Sequence, residues 1–162
     1  MRILPSAVAT LAIATLLGGC GFQLQGRLPL PAALAIVQID SKDVQSDFVQ
    51  ELRKSLLASG ARIASGSREA TAIIRVERDE LKEHVLSVSS RNIPVEYELT
   101  YTVRVAVSSD GKERMAPEDM ALTREFSFDE TQLLAKQREE DALRASLAHD
   151  LVGMVMRRLS AL

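Results

Sequence analysis

The chain has 162 residues, of which 46% are hydrophobic and 4% aromatic, and its 20 basic and 22 acidic residues give a formal net charge of −2. Without an excess of basic residues, it lacks the electrostatic signature of a nucleic-acid-binding protein. The absence of Trp and the scarcity of other aromatic residues leave few stacking surfaces for sugars or bases.

The first element is an apolar run over residues 7–17, preceded by Arg2 and followed by small residues up to Cys20. This layout predicts a secretory signal over residues 1–19. A membrane-spanning helix needs about 20 mostly apolar residues, whereas residues 3–17 are fewer and include Pro5. A buried free thiol is the other alternative, since Cys20 is the only cysteine and has no intramolecular disulfide partner.

The tetrapeptide Leu17-Gly18-Gly19-Cys20 resembles the lipobox of bacterial lipoproteins. The resemblance implies cleavage before Cys20, an S-diacylglyceryl group on its sulfur and an acyl group on its new amine. Several acyl chains are enough to hold a protein stably on a membrane without a protein span. By the same resemblance, the absence of an Asp after the cysteine favours anchoring to the periplasmic side of the outer membrane.

Residues 20–33 are predicted to be the lipidated N-terminus and a tether, because Gly26, Pro29 and Pro31 interrupt regular structure. Residues 34–162 then suit a single domain with its own hydrophobic core. That domain is expected to open with a short, mostly apolar strand over residues 34–40.

An amphipathic helix should follow, capped at its start by Ser41 or Asp43 and ended by Gly60 in the left-handed conformation. Its expected apolar face repeats every four residues and consists of Val44, Phe48, Leu52 and Leu56, widened by Val49 and Leu57.

Three strands are expected next. Residues 71–90 carry β-type runs at both ends, but their apolar phase changes across the charged stretch 77–83, which predicts one long strand with a bulge or a turn. Residues 95–107 alternate strictly, so one face of the sheet should be dry and the other polar. The polar face would carry Glu96, Glu98, Thr100, Thr102 and Arg104. Residues 120–128 should supply a third antiparallel strand.

A second amphipathic helix is expected from about Gln137 to the C-terminus, with acidic residues in its first turns and Arg157 and Arg158 in its last. Its apolar stripe is Leu143, Leu147, Leu151, Val155 and Leu159. The predicted fold class is therefore α+β, with a mainly antiparallel four-stranded sheet and both helices packed on one of its faces.

The sequence gives little support for an enzyme. His84 and His149 have no metal-type spacing, no Gly-rich phosphate loop or Gly-x-Ser-x-Gly turn follows the signal, and the only thiol is the expected lipid site. The carboxylates between residues 77 and 83 are interleaved with Arg78 and Lys82, which is typical of a solvated strand. We therefore expect no catalytic residue, no metal and no cofactor.

Several short motifs, taken together and in order, resemble the lipopolysaccharide-assembly lipoprotein family LptE, also called RlpB. They are the start Cys20-Gly21-Phe22-Gln23-Leu24-Gln25-Gly26, the Arg91-Asn92 turn with Glu96-Tyr97 beyond it, Arg124-Glu125-Phe126, and Leu134-Ala135-Lys136 before an acidic helix start. The resemblance covers nearly all of the chain after the signal.

That resemblance implies an outer-membrane lipoprotein that forms a one-to-one complex with the barrel protein LptD. Members plug and help to assemble this barrel, and the pair delivers lipopolysaccharide to the outer leaflet. It also implies that Arg91 and Lys136 contact lipopolysaccharide, and that the polar sheet face lies against the barrel.

Two other functions remain open at the level of sequence. A pilotin-like or peptidoglycan-tethering lipoprotein would assist a different outer-membrane complex. A lipid-anchored hydrolase is the third possibility, although it lacks a recognisable nucleophile and base.

Overall fold

A computed structural model describes residues 29–127 and 133–162, with the side chains of the second segment described from residue 137 onward. The signal, Cys20 and most of the predicted tether lie outside the described residues. A short 3₁₀ helix, Ala32–Leu34, is followed by strand β1, Ile36–Ser41; helix α1, Asp47–Ala58; and strand β2, Arg62–Ile63. The long strands β3, Ala72–Val88, β4, Pro94–Ser109, and β5, Lys112–Ser127, precede helix α2, Leu133–Leu159.

The five strands form one mixed sheet in the order β2-β1-β3-β4-β5. β1 pairs in parallel with both β2 and β3, whereas β3, β4 and β5 form an antiparallel meander. The prediction of a four-stranded sheet was therefore wrong. β2 has two residues, too few to produce an alternating pattern. β1 is joined to its parallel neighbour β2 through α1, and such a crossover is what parallel neighbours require.

Helix α1 begins later than predicted. Its N-cap is Ser46, whose Oγ accepts a hydrogen bond of 3.2 Å from the amide of Val49. Asp43 instead closes a local turn, because its Oδ1 accepts from the amide of Gln45 at 2.9 Å. Val44 therefore lies before the helix and is 47% exposed, so it is not part of the apolar face.

The rest of the α1 prediction holds except at its last turn. The correctly predicted residues of the apolar face are all fully buried: Phe48, Val49, Leu52 and Leu56. Leu57 is 53% exposed. Gly60 follows the helix at φ +91°, which confirms the predicted left-handed stop.

β3 contains the irregularity predicted from its change of apolar phase. Its register against β4 shifts between Val76 and Arg78, which leaves Glu77 as an extra residue, and again near Leu86. Because of the first shift, Val76 and Leu81 lie on the same side of the sheet although their spacing is odd.

Both helices pack on one side of the sheet and on each other, around a single hydrophobic core. α2 begins at Leu133, four residues before the predicted start, so the acidic run 139–141 lies inside the helix. Among its side chains from residue 137 onward, the buried ones lie in the C-terminal half, at Leu147, Ala148, Leu151, Val152, Val155, Met156 and Leu159. Across residues 29–127 and 133–162, neither helix combines the length and the apolar character needed to cross a bilayer.

Candidate functional site

The side of the sheet opposite the helices is a polar surface, here called the open face. The structure places all five residues that the β4 alternation predicted on it: Glu96, Glu98, Thr100, Thr102 and Arg104. The residues between them point to the core, and Leu99 and Val103 are fully buried. The period-two pattern therefore located this surface correctly.

The strand register extends the open face across three strands. Arg104 lies between Arg78 of β3 and Asp119 of β5, and Thr100 lies between Lys82 and Thr123. Sequence reasoning did not identify these flanking residues, because their positions depend on the bulge at Glu77 and on the pairing of β5. The register of β5 itself could not be read from an edge strand whose polar and apolar residues alternate weakly.

An ion-pair network occupies one end of the open face. Arg104 Nη1 lies 2.7 Å from Asp119 Oδ2, and Arg104 Nε lies 3.2 Å from Glu77 Oε2. Arg78 Nη1 reaches the other oxygen of Asp119 at 3.3 Å. Two arginines that stand directly opposite each other are thus neutralised by two carboxylates. Since all four side chains are substantially exposed, the network contributes shape and polarity more than stability.

The other end of the open face carries excess negative charge. Glu98 stands directly opposite Glu125 on β5, with His84 on its other side. Glu96 accepts a hydrogen bond of 2.6 Å from Ser87 Oγ. A shallow depression of about 280 Å³ lies here, lined by Leu86, Glu96, Glu125, Phe126 and Ser127. The open face is therefore polar along its length, and neutral at one end and acidic at the other.

Arg91 lies in the turn that joins β3 to β4 and is exposed. The turn is closed by main-chain hydrogen bonds from Ser89 to Ile93, 2.7 Å, and from Asn92 to Ser89, 2.9 Å. Asn92 adopts φ 60°, a left-handed conformation that Asn tolerates better than most residues. The side chain of Lys136 lies outside the described residues, so its position relative to Arg91 is not part of the site geometry.

A buried polar contact links the sheet to helix α1. The Tyr101 hydroxyl accepts a hydrogen bond of 3.3 Å from the amide of Phe48 and is also hydrogen-bonded to Asp79. Asp79 in turn accepts from Ser46 Oγ, the N-cap of α1. Burial, reinforced by Asp79, raises the pKa of Tyr101 above its ordinary value. The contact is structural, because it supplies a partner to an amide in the first turn of α1 and holds that turn against β3 and β4.

No cluster that could hold a metal ion occurs among the described residues. His149 lies far from His84 and contacts Glu51 of α1, with Nδ1 2.9 Å from Oε1. Its hydrogen bond is the main cause that lowers the pKa of Glu51. Of the carboxylates in the charged stretch, Glu77 is exposed in the ion-pair network, whereas Asp79 is half-buried in the α1 cap and so departs from the predicted solvated strand.

Comparison with known proteins gives a consistent result. The model of the family described as "LptE: Lipopolysaccharide-assembly" matches residues 32–159. The protein named LPS-assembly lipoprotein LptE from Pectobacterium atrosepticum is 26% identical over 142 residues, covering 87% of this chain and 77% of the relative. Its namesake from Photorhabdus laumondii is 28% identical over 143 residues, with the same two coverages of 87% and 77%.

Two solved structures share the fold. The solution structure of lipoprotein B from Nitrosomonas europaea has a TM-score of 0.70 at 26% identity and covers 87% of this chain and 91% of that one. The crystal structure of rare lipoprotein B from Shewanella oneidensis has a TM-score of 0.66 at 24% identity, with coverages of 78% and 94%.

Proposed function

The chain belongs to the LptE family of lipopolysaccharide-assembly lipoproteins, and on that basis we propose that it is the partner of an LptD-like barrel in the outer membrane. In this role it forms a one-to-one complex with the barrel, fills part of its lumen and assists lipopolysaccharide transport to the outer leaflet. The protein performs no catalysis itself.

The open face is the observation that supports this role best. Wide outer-membrane barrels have polar, hydrated interiors, and their lumen is closed by a plug when no free channel is wanted. A sheet with a polar outer surface, whose strands are linked across that surface by the Thr100–Thr123 contact of 3.0 Å and by the Arg104 ion pairs, suits such a lumen. The residues proposed to face the barrel are Glu96, Glu98, Thr100, Thr102 and Arg104.

Cys20 is the proposed anchor. Diacylation of its sulfur and acylation of its amine would keep the protein at the periplasmic side of the outer membrane, beside its partner. Residue 29 begins the described structure, and nine residues of extended chain reach at most about 32 Å. The anchor can therefore sit in the membrane while the folded domain enters the barrel.

Arg91 and Lys136 are the proposed lipopolysaccharide contacts. A guanidinium can bind a phosphate through two parallel hydrogen bonds, and an ammonium acts as a point charge. The exposed turn that carries Arg91 is accessible to such a ligand. Replacing both by Asp should weaken lipopolysaccharide binding by the purified protein, and unchanged binding would remove both from the site.

Co-purification from native outer membranes tests the partnership. We expect the acylated protein to be recovered in a stable one-to-one complex with a large barrel protein after detergent extraction. Recovery without a barrel would contradict the proposal. If depletion of the protein blocked secretion and left surface lipopolysaccharide intact, the pilotin-like alternative would replace it.

A matched pair of substitutions tests the docking surface itself. Ala121 is exposed on the open face beside Thr102, and Ala145 is exposed on α2. Ala121→Arg should reduce the amount of barrel recovered, because the long side chain stands in the contact, whereas Ala145→Arg should leave it unchanged. Equal recovery from both variants would show that the open face is not the docking surface.

A further inference from the structure

The tip of the β3–β4 hairpin carries an unusual concentration of exposed apolar side chains. Seven large hydrophobic residues are exposed among those the structure describes, and four of them lie within residues 85–93. These four form what we call the apolar tip: Val85, exposed by 40%, Leu86 by 45%, Val88 by 50% and Ile93 by 39%. Exposed apolar side chains gathered in one place indicate an interaction site more often than scattered ones do.

The apolar tip is a defined surface. The main-chain hydrogen bonds that close the turn between Ser89 and Ile93 fix the two strand ends against each other. Val85 pairs with Tyr97 and Val88 with Pro94 across the hairpin. Val85, Leu86 and Val88 belong to β3 and Ile93 to the hydrogen-bonded turn, so that a ligand would meet the four side chains without a large cost in ordering.

Within the part of the chain that the structure describes, neither helix buries this surface. The N-terminus of α1 lies at Tyr101, seven residues along β4 from Pro94, and seven strand residues extend about 23 Å. From there α1 runs back toward the start of β3, with its last turn next to β2. The buried half of α2 begins at Leu147, and Asp150 of that half is bonded to Arg124, which pairs with Leu99 of β4.

Charge around the apolar tip restricts what it can bind. Arg91 lies at the apex between Val88 and Ile93 and provides a cation that is always charged. Glu98 and Glu125 lie on the open face nearby and disfavour an anion there. Val85 pairs with Tyr97, a core residue, and so lies on the opposite side, whereas Leu86 borders the depression on the open face. A ligand with both an anionic group and apolar chains fits the apex and the helix side.

We propose that the apolar tip binds acyl chains of lipopolysaccharide, with the phosphate groups of the same molecule near Arg91. This inference rests on the proposed function, since the family's link to lipopolysaccharide identifies the amphiphile. It adds apolar residues to a site for which the sequence suggested only cations. The hairpin then contacts both halves of the ligand, and the open face remains available for the barrel.

Photo-crosslinking in cells tests the proposal with the full, acylated chain in its native complex. A photoreactive residue at Val85 or Val88 should form adducts that carry lipopolysaccharide. The same residue at Val44 or Leu57, which are 47% and 53% exposed elsewhere in the fold, is the matched control and should not. Adducts from the tip that contain only the barrel, or a second copy of this chain, would overturn the proposal.

Binding measurements on the purified full-length protein separate acyl chains from phosphates. Val85→Thr with Val88→Thr keeps the β-branched shape, and should weaken binding of intact lipopolysaccharide by roughly tenfold. The double variant should match the unchanged protein toward deacylated lipopolysaccharide, which retains its phosphates. Val44→Thr should leave both affinities unchanged.

Three results of these measurements would contradict the proposal. Equal affinity of the double variant and the unchanged protein for intact lipopolysaccharide would remove the apolar tip from the site. If the unchanged protein bound phosphatidylglycerol vesicles as strongly as intact lipopolysaccharide, the result would indicate that the apolar tip inserts into a lipid surface instead. If the unchanged protein bound no lipopolysaccharide, both the apolar tip and the Arg91 assignment would be wrong, whereas barrel co-purification would still test the partnership.

Discussion

Tyr101 and Phe48 connect the central strand of the meander to the first turn of α1 through a hydrogen bond of 3.3 Å between hydroxyl and amide. Tyr101 is 3% exposed and Phe48 fully buried, so the bond lies inside the core. The first amides of a helix have no partner within the helix. Tyr101 therefore satisfies one of them and fixes where α1 meets the sheet.

Replacing Tyr101 by Phe should destabilise the fold. The substitution leaves the Phe48 amide and the Asp79 carboxylate without the hydroxyl, and an unsatisfied buried group costs about 1–3 kcal/mol. Denaturant unfolding should show this loss. Thr100→Val, which removes a partly exposed hydroxyl on the same strand, is the control and should cost less. Equal stability of Tyr101→Phe and the unchanged protein would show that the bond contributes nothing.

The same tyrosine should make stability depend on alkaline pH. Its pKa is raised in the folded state, mainly by burial, so above pH of about 10 the unfolded chain loses this proton first. The free energy of unfolding should then fall as the pH rises beyond that value. Tyr101→Phe should lack this part of the slope. An identical alkaline slope in both proteins would assign the effect to other groups.

The cap of α1 can be tested with two serines. Ser46→Ala removes the oxygen that accepts from Val49 and should cost about 1 kcal/mol of stability. Ser41→Ala, at the position that the sequence suggested as a cap, should have little effect, because the Ser41 hydroxyl bonds only the Asp43 carbonyl. Unfolding curves of the two variants give the comparison, and a larger loss at Ser41 would reverse the assignment.

The contact between His149 and Glu51 should support the fold modestly at neutral pH. The hydrogen bond from His149 is the main cause that lowers the pKa of Glu51 below 4.5. A lowered carboxyl pKa stabilises the folded state above the unfolded value, and the benefit disappears as the pH falls through the folded one. His149→Ala should lose at most about 1 kcal/mol at pH 7, because the pair is largely exposed. The two proteins should converge in acid, and a constant difference down to pH 2 would exclude this linkage.

Two glycines should respond in opposite directions to Ala. A Cβ added at Gly153 of α2 would meet only Arg157 Nη1, at 3.5 Å, which is ordinary contact. Gly153→Ala should therefore stabilise the protein by up to about 1 kcal/mol, since Ala favours helix. Gly60→Ala should destabilise it because of the φ of +91° there. Thermal unfolding measures both, and destabilisation by Gly153→Ala would show that the glycine is needed for packing.

Repeating patterns in the sequence predicted the features that extend over many residues. The alternation in β4 identified the open face, and the four-residue repeat identified the buried face of α1. The change of phase between Val76 and Leu81 predicted the bulge. Each of these signals is a periodicity that burial on one side imposes.

Features that depend on a few residues or on distant partners could not be predicted from the sequence. β2 is too short to carry a period, and the choice of Ser46 over Ser41 depends on the position of Asp79 in another strand. The partners of Arg104 follow from the register of two neighbouring strands. The exposure of Val85, Leu86, Val88 and Ile93 could not be predicted either, because an apolar strand end is ordinarily covered.

The bulge at Glu77 has a consequence for sequence length. Val76 pairs with Val105 and Arg78 with Arg104, so deletion of residue 77 would give a regular strand with every later side chain on its present side. Deletion of Lys82 would instead invert the strand beyond it and bring His84 to the core side. Insertions and deletions of one residue can therefore accumulate at position 77 among homologues, while the segment between it and Val85 must keep its length.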